Sequence, residues 1–204
     1  ALETHSFPDI QTIFWRNSNL NFSNKVTLLK SLEERPQKDW LRRISECQDE
    51  KVLKYFLKEA PKITIQDNSE ILKILWECCQ IPDFVKKTYG HHFDVVSKIF
   101  SFLTNGDRKV PNHYMKEQLS LLDKLDGNVD SLSNRIANVR TWAYVSNKSN
   151  WVENQDYWIE RTKNLEDKLS DRLHEELTKT FIDKRASVLA RGLKQDIMFE
   201  TEIV

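Results

Sequence analysis

Glycine and proline are scarce in this chain, with 4 and 5 of them among 204 residues. That scarcity disfavours a β-sandwich or a loop-rich α/β enzyme, whose turns use both, and favours helices. The four glycines are Gly90, Gly106, Gly127 and Gly192. They form no GxxxxGK[ST] loop, no GxGxxG turn and no GxSxG elbow, so neither nucleotide hydrolysis nor a covalent active site is expected within these residues. Cysteine is also sparse: Cys47 and the adjacent Cys78 and Cys79 make an odd count. This argues against a disulfide framework and for a reducing compartment. No apolar run approaches the ~20 residues of a membrane span. The opening ALETHSFPDI lacks the charged and apolar regions of a signal peptide, and its lack of Met suggests a fragment or a processed chain. Lys plus Arg equals Asp plus Glu at 31 each, so net charge gives no support to nucleic-acid binding by the whole chain, while a local basic patch stays open.

What the sequence does contain is recurrent helix punctuation. Ser23 is placed to cap a helix with Val26, Leu29 and Leu32 on one face, and Pro36 lies beyond its end. Ser45 heads a stripe of Val52, Leu53, Phe56 and Leu57 that stops at Pro61. Asn68 or Ser69 precedes Ile71, Ile74, Leu75 and Cys78, with Pro82 after them. The segment GHHFDVVSKIFSFLTNG reads as a helix closed by Gly106. Another runs from Pro111 towards Gly127, and a further one carries Asp130 as cap with Leu132, Ile136, Val139 and Ala143 on one face. The last segment, from about Asn154 to Lys194, has no internal Pro or Gly before Gly192. Unbroken, it would run roughly 60 Å at 1.5 Å per residue, which makes a kink plausible. Strands are expected only in IQTIFWR and in KITIQ near 62 to 66. The fold class is all-α, an irregular multi-helix arrangement with a long C-terminal helix. It divides into an N-terminal helical subdomain over 1–130 and a long-helix subdomain over 131–204, packed as one unit.

Within the long segment, Leu165, Leu169, Leu173, Leu177 and Phe181 recur every four residues. A four-residue step drifts around a 3.6-residue helix, so this stripe must wind across the surface. The same stretch holds His174-Glu175, close to the HExxH of a zinc hydrolase. Thr178 stands where the second His is required, and His5, His91, His92 and His113 supply no spacing for a third ligand. No metal is therefore expected; Asp171, His174, Glu175 and Thr178 read as one polar face, bonding within the helix or to a neighbouring domain. His91 and His92 point about 100° apart on a helix and cannot share a metal. Cys78-Cys79 lacks the CxxC redox spacing and reads as a buried face plus a spectator.

Two regions offer binding chemistry. Between 139 and 163, Arg140, Lys148, Arg161 and Lys163 mingle with Trp142, Tyr144, Trp151, Tyr157 and Trp158. Aromatic planes beside cations suit unstacked bases and phosphates; equally, the aromatics form a core and the cations its solvated rim. Near the end of the long helix, Lys184, Arg185, Arg191 and Lys194 cluster, where cations also complement the helix dipole.

The segments WRNSNLNF, LWECCQIPDF, NRIANVRTWAYVSN, W(V)EN and LEDKLSDRLHEELTKTFIDKRASVL resemble the C-terminal region of bacterial DExH-box RNA helicases. These are the alphaproteobacterial relatives of the mitochondrial degradosome helicase, the Suv-three type. The likeness runs from about Glu3 to Leu193, with Gly192 standing where that family tends to carry a basic residue. The resemblance implies a helical accessory region packed on two upstream RecA-like motor domains, which would hold ATP and Mg; no cofactor is implied in this chain itself. It implies a bacterial cytoplasmic setting and no membrane. Two roles follow. In one, the chain guides single-stranded RNA through residues such as Arg140, Trp142, Tyr144, Arg161, Lys163, Lys184, Arg185 and Arg191. In the other, it docks the motor or an exoribonuclease through Asp171, Leu173, His174, Glu175 and Leu177, without touching RNA. No catalytic residue is carried over. A zinc hydrolase is the remaining option, and elemental analysis of the purified protein checks it: with Thr178 in place of the second His, zinc should be well below one per chain.

Overall fold

The structure is a computed structural model that describes residues 12–44, 47–58, 68–86 and 88–201; the side chains of Tyr89 and of 189–201 lie outside the described set. The elements in order are β1 (Ile13–Trp15), α1 (Lys25–Glu33), β2 (Leu41–Arg43), α2 (Gln48–Lys58), α3 (Ser69–Cys79), α4 (Tyr89–Thr104), α5 (Asn112–Leu122), α6 (Val129–Asn147) and α7 (Gln155–Thr201). The fold is all-α with a long C-terminal helix, as the scarcity of glycine and proline anticipates. The chain divides into two compact units, one of residues 1–82 and 87–108, the other of 83–86 and 109–204. In the second unit α5 packs with α6 and is tied by side chains to α7. Among the described residues, no helix is long and apolar enough to cross a membrane.

In the first unit, α3 packs against both α2 and α4. Leu53, Leu72, Leu75 and Ile99 are fully buried there. Helix α1 begins one residue later than Ser23 would place it. Asn24 Oδ1 accepts from the Thr27 backbone N–H at 2.9 Å, while Thr27 Oγ1 accepts from the Asn24 N–H at 3.1 Å, a reciprocal cap that satisfies two otherwise orphaned donors. Its buried face is Leu28 and Leu32, and Val26 faces water. Asn68 caps α3 as expected, through the Glu70 N–H, and Gly106 follows α4 at φ +59°, a left-handed position that suits glycine. The proposed cap Ser45 and the KITIQ segment lie outside the described residues.

β1 and β2 pair in parallel, with Ile13 opposite Leu41, Phe14 opposite Arg42 and Trp15 opposite Arg43. β1 lies within the IQTIFWR segment; β2, in LRR, has too little apolar alternation to be read as a strand. A carboxylate anchors the pair: Glu50, only 2% exposed, receives Arg43 at 2.8 Å and Lys54 at 3.0 Å. Arg43 also donates to the Leu32 carbonyl at 3.2 Å, and Arg16 forks onto Asp49 at 2.8 and 3.0 Å.

In the second unit, α6 and α7 form the most extensive helix contact of the described residues. They run antiparallel, since Gln155 donates to the Ser146 carbonyl while Arg140 meets Glu166 further along. Asn128, rather than Asp130, caps α6 through the Ser131 N–H. Leu132, Ile136, Val139, Trp142, Leu165 and Leu169 are buried. α5 is held at both ends, by Trp158 Nε1 donating to Asn112 at 2.8 Å and by Arg161 on Asp123 at 2.7 Å.

α7 is one continuous helix of 47 residues that passes through Gly192 without a break. At 1.5 Å per residue it is roughly 70 Å long, against roughly 28 Å for the 19 residues of α6. Its leucine stripe is buried at Leu165 and Leu169, half-buried at Leu173 and exposed at Leu177 and Phe181. Residues 177–188 are all exposed. Stability should track that gradient. In urea titrations Leu169→Ala should lose about 2–5 kcal/mol by leaving a cavity, whereas Leu177→Ala should change stability by less than about 0.5 kcal/mol.

Candidate functional site

The cations and aromatics between 139 and 163 do not assemble into an open surface. Trp142 is 4% exposed, edge-on to Tyr114 at 5.8 Å between ring centres. Trp151 and Trp158 are also buried. Tyr144 is half-buried, with the Lys148 ammonium 5.3 Å from its ring. The cations are engaged too: Arg140 pairs with Glu166 at 2.8 Å and Arg161 with Asp123 at 2.7 Å. Among the described residues of that stretch, Lys163 is exposed without an ion pair, and Tyr157 is the exposed ring, edge-on to the buried Trp158 at 4.9 Å. The geometry matches a core with a neutralised rim. α6 produces it, because its inward positions Leu132, Ile136, Val139 and Trp142 recur at helical spacing against α7.

The polar face of α7 is exposed, and most of its hydrogen bonds stay within the helix. Thr178 Oγ1 donates to the His174 carbonyl at 2.9 Å. Arg172 holds Glu175 at 2.8 Å and Glu176 at 2.6 Å, and its Nε reaches the Leu125 carbonyl at 3.2 Å. The hydrogen bond to Glu175 comes first among the causes that raise the pKa of Arg172. Asp171, His174 and Glu175 are exposed, and the hollow beside them is lined by this helix alone. Among the described residues, no group of three His, Cys, Asp or Glu is spaced to hold a metal ion.

Beyond that face lies the end of the leucine stripe. Leu177 is 46% exposed, Phe181 59% and Val188 65%. On a 100°-per-residue wheel Leu173, Leu177, Phe181, Lys184 and Val188 fall within about 80° of one another, so they make one continuous strip. Arg185 lies beside it, its guanidinium 5.1 Å from the Phe181 ring. Phe181 and Val188 extend the docking set of Leu173 and Leu177; the four-residue recurrence reaches Phe181 and is the signal that could have included it. Arg191 lies within α7, but its side chain is outside the described set.

The thiols are placed differently from the sequence expectation. Cys78 and Cys79 are both fully buried, so neither is a spectator. α3 packs against both α2 and α4, so both adjacent cysteines are covered while Glu77 and Gln80 on either side stay exposed. Burial, then the neighbouring Cys78 and Asp49, pushes the Cys79 thiol well up. Cys47, half-buried, shares a shallow hollow with Cys79, Asp49 and Pro82. His91 is exposed and His92 buried at the start of α4, so the histidine pair diverges as adjacent helical residues must.

No family model matches the chain, and no curated protein or solved structure matches it either.

The thiol geometry is directly checkable. A pKa raised by burial keeps Cys79 protonated at pH 8, and only the thiolate attacks a disulfide reagent. Ellman's reagent at pH 8 should therefore titrate one thiol promptly, Cys47, and the other two only after denaturant is added.

Proposed function

We propose that this chain is a helical accessory region of an ATP-dependent RNA helicase of the DExH-box, Suv-three type, and that it braces the RecA-like motor through the bare half of α7. The resemblance of LEDKLSDRLHEELTKTFIDKRASVL and the accompanying segments supplies the family. The observation that carries the bracing role is the apolar strip of Leu177, Phe181 and Val188 on residues 177–188, every one of which is exposed. Apolar side chains aligned along one helix face bind by burial against a partner groove. Bracing is favoured over strand guidance by α6 and the first turns of α7, because Arg140 and Arg161 are already paired and Trp142 is buried.

In this reading the chain performs no catalysis. ATP and Mg belong to the motor, and the setting is the bacterial cytoplasm. His174 borders the strip, Asp171 and Glu175 lie further around the helix, and Lys184 and Arg185 favour a partner with carboxylates at its rim.

The coding sequence upstream of Ala1 tests the parentage: two RecA-like domains with a GxxxxGK[ST] loop should precede it, and their absence would remove the helicase assignment. Bracing is tested separately by hydrogen exchange. Amides over 173–188 should exchange more slowly when the motor is present. Phe181→Asp should weaken that association at least tenfold, about 1.4 kcal/mol, with an unchanged melting temperature. Exchange unaltered by the motor would rule bracing out.

A further inference from the structure

The first unit carries an aromatic and cationic surface that the α7 reading does not use. Among the described residues most tryptophans are hidden: Trp76, Trp142, Trp151 and Trp158 are each 7% exposed or less. Trp40 stands apart at 55%, and Phe14 at 65%. Single exposed apolar residues are ordinary, but exposed rings gathered with charged neighbours mark an interaction site.

The strand pairing places one of these rings beside a cation, and the turn that leads into β2 carries the other. Phe14 is in register with Arg42, so both project from the same face of the β1–β2 pair. Arg42 is exposed while its neighbours Leu41 and Arg43 are half-buried. Trp40 ends the turn closed by the Leu41 N–H on the Lys38 carbonyl, directly before β2, and the Lys38 ammonium lies 5.3 Å from its ring centre. Arg35 is exposed a few residues earlier. Over 35–42 three cations, Arg35, Lys38 and Arg42, face one carboxylate, Asp39. None of these three cations enters an ion pair among the described residues, unlike Arg140 and Arg161.

We infer that this face binds single-stranded nucleic acid, with Trp40 and Phe14 each stacking on a base and Lys38, Arg42 and Arg35 pairing with the adjoining phosphates. Every base presents a π-face, and unpaired cations beside such rings neutralise the backbone that connects them. A two-stranded pair leaves the rings open to unstacked bases and gives a duplex, whose bases are already stacked, no comparable contact. An apolar protein partner fits less well, because Arg42 stands beside Phe14 with no ion-pair carboxylate among the described residues. Stacking and phosphate pairing do not distinguish the two sugars, so RNA and DNA strands should both bind. The inference does not depend on the α7 reading or on the helicase resemblance.

The test uses the full chain and a fluorescein-labelled 12-residue oligouridylate, followed by anisotropy. Binding should weaken with salt at a slope of log K against log salt near −2, about −0.7 for each of three phosphates. Trp40→Ala and Phe14→Ala should each weaken binding roughly five- to hundred-fold, the span of base–aromatic stacking. Arg42→Glu should weaken it and flatten the salt slope. Both rings are exposed, so these variants should keep the wild-type melting temperature, and Leu177→Ala should bind as wild type does. Oligothymidylate should bind within a few-fold of oligouridylate, and the annealed duplex far more weakly. Unchanged affinity in both aromatic variants, a salt-independent affinity, a strict RNA preference or equal binding of the duplex would each overturn the inference. Unchanged affinity in the variants is also the outcome expected if the face seats an acidic protein segment instead.

Discussion

A four-residue leucine step on a 3.6-residue helix governs the second unit. Each step carries the stripe about 40° around α7, so the sixteen residues from Leu165 to Phe181 take it about 160°, nearly to the opposite side. A straight partner such as α6 can cover only the start of such a stripe. Leu165 and Leu169 are accordingly buried against it, Leu173 is at the margin, and Leu177 and Phe181 face water. The length mismatch reinforces the drift, since the 19 residues of α6 cannot follow the 47 of α7. Exposure of the distal strip is thus a consequence of periodicity and length. A stricter heptad spacing would have kept the apolar seam on one side.

In the first unit the comparable constraint is the buried carboxylate of Glu50. A carboxylate 2% exposed is tolerable only when its charge is matched, and Arg43 and Lys54 match it from β2 and from the next turn of α2. Strand alternation then fixes what lies on the other face. With Arg43 drawn inward to Glu50, Arg42 must project outward, and the parallel register turns Phe14 out beside it. A core salt bridge thereby sets the orientation of an aromatic residue that it does not touch.

Much of this was legible in the residues. Helices are marked by caps and by 3.6-residue spacing, so α2, α3 and α4 lie where their stripes and glycines place them. Errors of one or two positions at α1 and α6 arise because Ser23, Asn24, Asn128 and Asp130 are all competent caps, and only backbone geometry selects among them. β2 was not legible, because LRR has no strand pattern of its own and pairs with β1, some 28 residues earlier in the sequence. The burial of Cys79 was equally hidden, since one helix's periodicity does not reveal that both α2 and α4 pack against it. The HExxH-like stretch was legible in the negative sense: Thr178 bonds back to the His174 carbonyl, and the helix uses the position for its own backbone.

The two aromatic-cationic regions show where composition stops being informative. Residues 139–163 and residues 35–43 both mix tryptophan with arginine and lysine, and composition alone favours the richer first region. Helical spacing decides against it, because α6 directs Trp142 and its apolar neighbours inward against α7, and Glu166 and Asp123 then neutralise the arginines that remain outside. In 35–43 no helical period exists to fold Trp40 into a core, and Asp39 is outnumbered by its cationic neighbours. What separates a core rim from a candidate ligand surface is therefore the presence of partner carboxylates and a period that buries the rings. Both features can be sought in a sequence once the element type is known, and the element type at β2 is the part that only the fold supplies.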